Sequence, residues 1–195
     1  MTRTFRLDDD RQTLVFAARN DRLHEVVYWG AALPMDENLS TIHAAGALDV
    51  TGGMLDENPD MSICPEASRS FPGQPGLIIR DTDGTPLLPK FCFETADESD
   101  GLVLTYSDAT NGLQLTVSFK PDQHTHIITC QTTLDADRPM HLHWLAAPVL
   151  PGPQQSNEMI DFSGRWCGEF QPNRTAWGAG IRYRENRTGR TGHEH

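Results

Sequence analysis

At 195 residues the chain is long enough to bury one continuous core unaided, and a single domain is the default expectation. An apolar content of 37% and a formal charge of −11 fit a soluble globular protein and exclude a nucleic-acid surface, because phosphate binding calls for basic patches. No stretch approaches the roughly 18 to 20 apolar residues of a membrane span, and the start MTRTFRLDDD lacks the apolar core of a secretory signal, so a cytoplasmic setting is expected.

Along the chain the dominant period is two. Gln12-Thr-Leu-Val-Phe-Ala17 reads as a short apolar strand, Arg19-Asn-Asp-Arg22 as a turn, and His24 to Trp29 as the next strand. Glu37 to Leu48 can supply a helical turn or two, limited by Gly46. From Gly52 to Pro75 the apolar period gives way to Gly, Pro, Asp and Ser, which predicts a long excursion outside the core. Two strands flank Asp83-Gly84. Pro89 places the strand Leu87 to Glu94 at an edge or a bulge, because proline cannot donate to the ladder.

The middle of the chain carries the strongest signal. Leu102, Leu104 and Tyr106 share one face of a strand, and Leu113, Leu115, Val117 and Phe119 share one face of the next. Asp108-Ala-Thr-Asn-Gly112 between them supplies the Asn-Gly chemistry of a tight hairpin, so Gly101 to Phe119 is predicted to be one. The alternation recurs in Ile128, Cys130 and Leu134, then in Met140, Leu142, Trp144 and Ala146, with Asp135 to Pro139 as the turn. Short strands at short intervals, with no convincing helical period, indicate an all-β antiparallel sandwich or barrel. Cys64, Cys92, Cys130 and Cys167 show no C-x-x-C spacing and are read as reduced, three of them packing as small hydrophobes.

The last segment, Phe162 to His195, departs from this acidic body. It carries Arg165, Arg174, Arg182, Arg184, Arg187 and Arg190 against Glu169, Glu185 and Glu194, a positive strip that expects an acidic partner surface. Its words GRW, GEF and ENRTGRTGHEH resemble the end of the N-terminal domain of the family 36 glycoside hydrolases, the dimeric or tetrameric α-galactosidases. HEVVYWGAALP (His24 to Pro34), HIITCQTTL (His126 to Leu134) and HWLAAPVLP (His143 to Pro151) resemble that domain's strands in the same order. The resemblance implies a large two-sheet supersandwich of the galactose mutarotase type. It also implies that the two catalytic Asp residues lie on a (β/α)8 barrel beyond His195, so that this chain is a non-catalytic part of a retaining enzyme for melibiose- or raffinose-type galactosides. The expected partners are that barrel, the α-galactoside and further copies in a homo-oligomer. No cofactor is expected.

Site residues follow from two sources. The resemblance implies that Trp166 projects toward a neighbouring subunit's sugar pocket, where an aromatic ring suits the apolar face of a pyranose. A core ring beside Phe162 and Phe170 is the other reading of Trp166. The resemblance also implies an Asp that reaches a neighbour's galactose, with Asp49 the nearest match and Asp56 its rival; from the residues alone, a solvated loop carboxylate is the default reading of either. From the residues themselves, three H-x-H pairs, His124/His126, His141/His143 and His193/His195, could each offer two imidazoles to a metal, but no third ligand stands at a diagnostic spacing. Acidic runs such as Asp8-Asp-Asp10 read as solvated surface carboxylates, and no G-x-S-x-G, H-E-x-x-H or phosphate-loop motif is present. A free-standing mutarotase-like epimerase using His141 or His143 with a Glu, and a simple carbohydrate-binding module, are the alternative functions.

Overall fold

A computed structural model describes residues 2–47, 58–152, 156–165, 167–178, 180 and 182. The chain forms two compact units, Met1–Pro151 and Gly152–His195. In the first, β1 (Thr2–Asp8), β2 (Gln12–Arg19) and β3 (Glu25–Ala31) form one antiparallel sheet in that order. After the helix α1 (Leu39–Gly46) and a 3-10 turn at Ala67–Arg69 come β4 (Leu77–Asp81), β5 (Pro86–Leu87), β6 (Cys92–Asp97), β7 (Leu102–Asp108), β8 (Leu113–Pro121), β9 (Ile128–Ala136) and β10 (Met140–Leu145). Strands β6-β7-β8-β9 form a four-stranded sheet and β10-β4-β5 a three-stranded one, all with antiparallel neighbours. The second unit holds the hairpin β11 (Glu158–Arg165) and β12 (Gly168–Ala176).

The fold is an all-β antiparallel sandwich. The β7–β8 hairpin forms in the register that the alternation sets, with Leu102 opposite Phe119 and Tyr106 opposite Leu115. Its turn is closed by Asp108, whose Oδ1 accepts the backbone N–H groups of Thr110 and Asn111 at 3.0 and 3.2 Å, while Gly112 supplies φ of 64°. All seven inward residues of the pair are buried. Phe16 of β2 meets Phe119 of β8 with ring centroids 4.7 Å apart, which joins the inner faces of two sheets. β2 is buried from Thr13 to Ala18 because its other face lies against α1, so its sequence reads as a continuous apolar run instead of an alternation. Asn38 caps α1 by accepting the N–H groups of Ser40 and Thr41.

Several expectations are corrected by the structure. Part of the excursion is not outside the core: within residues 58–75, Ser62 to Glu66 are buried, whereas the residues on either side are exposed or half-buried. Ile63 donates its N–H to the His24 carbonyl and accepts from the Val149 N–H, both at 2.8 Å, so one rib crosses the interior with its backbone satisfied by two partners. Such a rib buries consecutive residues and therefore shows no period. Cys64 is sealed there, with Gly76 packed so closely that a Cβ on it would meet Cys64 Sγ at 2.7 Å.

The alternation read through Met140, Leu142, Trp144 and Ala146 is broken by a bulge between Leu142 and Trp144. Met140 and Leu145 pack on the core, and Leu142 is 52% exposed. Pro89 does not sit within a strand; it separates β5 from β6, which are edge strands of different sheets. All four thiols are free, but Cys92 and Cys167 are exposed instead of packed. Asp9 is buried, contrary to its reading as a solvated carboxylate. β1 and the β11–β12 hairpin were not legible as strands in the sequence pattern.

Candidate functional site

The residues to which the resemblance gives sugar contacts, Trp166 and Asp49 with its rival Asp56, lie outside the described residues, as do Arg184, Arg187, Arg190 and the His193/His195 pair. The strands on either side of Trp166 are described. In β11–β12, Ile160 stands opposite Arg174 and Phe162 opposite Pro172. Ile160, Phe162 and Phe170 are each more than half exposed. The residues that alternate with them make a polar face, where Asn173 donates to Asp161 Oδ1 and Ser163 Oγ, both at 2.9 Å. Arg174, one of the six arginines of the strip, pairs with Glu158 at 2.9 Å.

An open groove of about 700 Å³ runs along β4 and β10, lined by Ile78, Arg80, Thr82, Asp83, Gly84, His141 and His143. His141 stands opposite Arg80 across the ladder. Asp83 is held by the Thr85 N–H at 2.8 Å, and Arg80 donates to the Gly84 carbonyl at 3.1 Å. The His141/His143 pair thus shares its groove with both Arg80 and Asp83. Among the described residues the group with metal-ligand spacing is instead Asp9, Asp10 and His126.

The buried acids of the first unit hold backbone in place. Glu66 accepts the Phe91 N–H at 2.7 Å and Arg69 Nε at 2.7 Å, and burial pushes its carboxyl above the ordinary range. For Asp108, burial works in the raising direction, but hydrogen bonds from Asn111, Lys90 and Thr110 outweigh it and hold the group below its ordinary value. His24 is enclosed by Phe5, Phe93 and Tyr106, and its Nδ1 shares a 2.8 Å hydrogen bond with the Tyr106 hydroxyl. Desolvation, with Arg3 adding to it, lowers its pKa to about 4, so the ring is neutral near pH 7. Two enclosed cavities, of about 10 and 20 Å³, are lined respectively by Arg22, Asp60 and Glu66 among others and by Cys64, Leu87 and Phe91 among others. Each has room for about one water, against the roughly 300 to 1,000 Å³ of a ligand pocket.

Comparison with known proteins gives one family. The glycosyl hydrolase family 36 N-terminal domain matches residues 22–195. An α-galactosidase of Escherichia coli is 28% identical over 177 residues, covering 88% of this chain and 24% of that protein. Among solved structures, a variant of the family 36 α-galactosidase AgaA from Geobacillus stearothermophilus in complex with raffinose superposes with a TM-score of 0.80 at 17% identity, covering 98% of this chain and 30% of that one. The α-galactosidase from Lactobacillus brevis superposes at 0.66 with 16% identity, covering 91% and 28%. The chain therefore spans between a quarter and a third of the length of these relatives. The sandwich, its strand order and the family match lead to one assignment: the chain belongs to glycosyl hydrolase family 36, as the N-terminal domain of that family.

Proposed function

We propose that this chain serves as the non-catalytic N-terminal domain of a retaining α-galactosidase that hydrolyses terminal α-linked galactose, as in raffinose or melibiose. The observation that carries the reading is the family match over residues 22–195, together with the likeness to the E. coli α-galactosidase. The geometry fits a scaffold: the buried acids Glu66 and Asp108 are engaged by backbone N–H groups. In this reading a (β/α)8 barrel elsewhere in the parent protein supplies the two catalytic carboxylates. The present domain braces that barrel and the homo-oligomer in the cytoplasm, its arginine strip meets acidic surface, and Trp166 with Asp49, or Asp56 in its place, reaches a neighbour's sugar.

A clean preparation of the 195-residue chain is expected to leave a nitrophenyl α-galactoside unhydrolysed, while the product of the uninterrupted reading frame that contains it turns the substrate over. In that longer product, Trp166→Ala is expected to raise KM for raffinose about tenfold, the size of one lost stacking contact. Turnover by the 195-residue chain alone, or an inactive longer product, would overturn the assignment.

A further inference from the structure

Two hairpin ends meet at a place the sugar reading does not use. β1 turns into β2 through Asp9 and Asp10, which precede the residues matched by the family model. β8 leads into β9 through a loop that ends near His126, a residue in the left-handed region with φ of 58°. His126 Nδ1 lies 3.1 Å from Asp10 Oδ1 and 3.6 Å from Asp9 Oδ1. One ligand atom from each of the three lies within 4.8 Å of the other two.

The distances lie within ion-pair range and also suit a shared centre. A charge-assisted N–H···O contact closes to about 2.7–2.9 Å along the donor axis. Here Nδ1 is buried and makes no hydrogen bond, so the ring axis is aimed at neither oxygen. Around a tetrahedral ion with bonds of about 2.0 Å, neighbouring ligand atoms stand about 3.3 Å apart. The 3.1 Å separation of His126 Nδ1 from Asp10 Oδ1 is close to that edge.

The surroundings hold the ligands in place. Gln12 donates from Nε2 to Asp9 Oδ2 at 2.8 Å and to the His126 carbonyl at 2.7 Å, and its Oε1 accepts from Trp29 Nε1 at 2.9 Å. Asp9 Oδ1 accepts the N–H groups of Arg11 and Gln12 at 2.8 and 2.9 Å. A carboxylate offers about four acceptor sites, two on each oxygen; two of these bonds fill Asp9 Oδ1 and one falls on Oδ2, so the remaining site is on Oδ2. Hydrogen-bonded carboxylates and a fixed imidazole are the outer support of metal centres.

We propose that Asp9, Asp10 and His126 form a binding site for a divalent transition cation. One imidazole with two carboxylates suits Zn²⁺, with water in the fourth position on the open side, where the Asp10 side chain is 76% exposed. The ion would tie the β1–β2 turn to the loop before β9, two segments more than a hundred residues apart in sequence.

Titration calorimetry of ZnCl₂ into the chelator-stripped chain is expected to show one equivalent bound. Asp10→Asn and His126→Asn, the latter chosen because Asn tolerates positive φ, are each expected to weaken binding at least tenfold while melting in EDTA as the parent does. The double variant His141→Ala/His143→Ala is expected to bind like the parent. Co²⁺ in place of Zn²⁺ is expected to give the visible absorption of a four-coordinate site, absent in Asp10→Asn. No saturable binding, binding unchanged by Asp10→Asn and His126→Asn, or binding lost only with His141 and His143 would each overturn the site.

Discussion

Two hairpins of this chain have equally regular ladders and opposite surroundings. β7–β8 turns Leu102, Leu104, Tyr106, Leu113, Leu115, Val117 and Phe119 into a sealed interior. β11–β12 leaves Ile160, Phe162 and Phe170 more than half exposed and ties itself together with Asn173, Asp161 and the Glu158–Arg174 pair. A ladder alone is marginal in water, and packing of one face supplies the stability. The first hairpin is thus part of the buried core, and the second is a surface element.

The contrast can be broken by substitution. Phe119→Ala is expected to cost about 3–5 kcal/mol, read as a large fall in the urea midpoint, because it empties a site fully enclosed by the Phe16 ring and the opposing strands. The next effect is one of pH and probes the buried His24 that shares a hydrogen bond with Tyr106 of β7. Burial lowers the His24 pKa to about 4 in the folded chain, against the ordinary 6.5 of an unfolded one. Between those values the unfolded chain binds more protons. The contribution is therefore complete above pH 6.5 and is lost as pH falls toward 4, amounting to roughly 3 kcal/mol. Melting temperature followed across that window should show the slope, and His24→Asn should flatten it even though it melts lower at pH 7. The smallest effect is Phe162→Ala, expected to change stability by less than about 1 kcal/mol in this chain. A loss there as large as that of Phe119→Ala would erase the distinction between the hairpins.

What the sequence discloses follows the same division. The β7–β8 pair is legible because one face meets apolar core and the other does not, so burial imprints a period of two, and Asn111-Gly112 marks the turn. Where burial is continuous the imprint vanishes: Ser62 to Glu66 crosses the interior as a rib, and its composition of Ser, Cys, Pro and Glu reads as loop. Where neither face is buried, as in β11–β12, there is no burial pattern to read, and Pro172 and Arg174 further disguise the strand. In β10 a bulge shifts the register midway, which no count of alternating residues anticipates. β1 was masked by its polar content, since Phe5 and Leu7 are the apolar residues it turns to the core.

The family and its fold were legible through the words around Tyr28-Trp29-Gly30 and Gly164-Arg165-Trp166, which also supplied Trp166 and Asp49 as site residues. The Asp9–Asp10–His126 group was not, although each residue stood in a motif that attracts attention. Its members come together only when the β1–β2 turn and the loop before β9 are folded side by side, and the local H-x-H spacing pointed to His124, which is exposed, as the partner of His126.

The four thiols form a built-in set of reporters. Burial pushes Cys64 up to about 12, with the Glu66 charge adding to it, whereas Cys92 and Cys167 face solvent, one in each compact unit. An alkylating reagent should consequently mark Cys92 and Cys167 at once and reach Cys64 only when the interior opens. Cys130 is half-buried and falls between these extremes, so the rate of modification at Cys64 itself, located by mass spectrometry of the peptides, serves as a clock for transient unfolding of the sandwich without denaturant or any engineered probe.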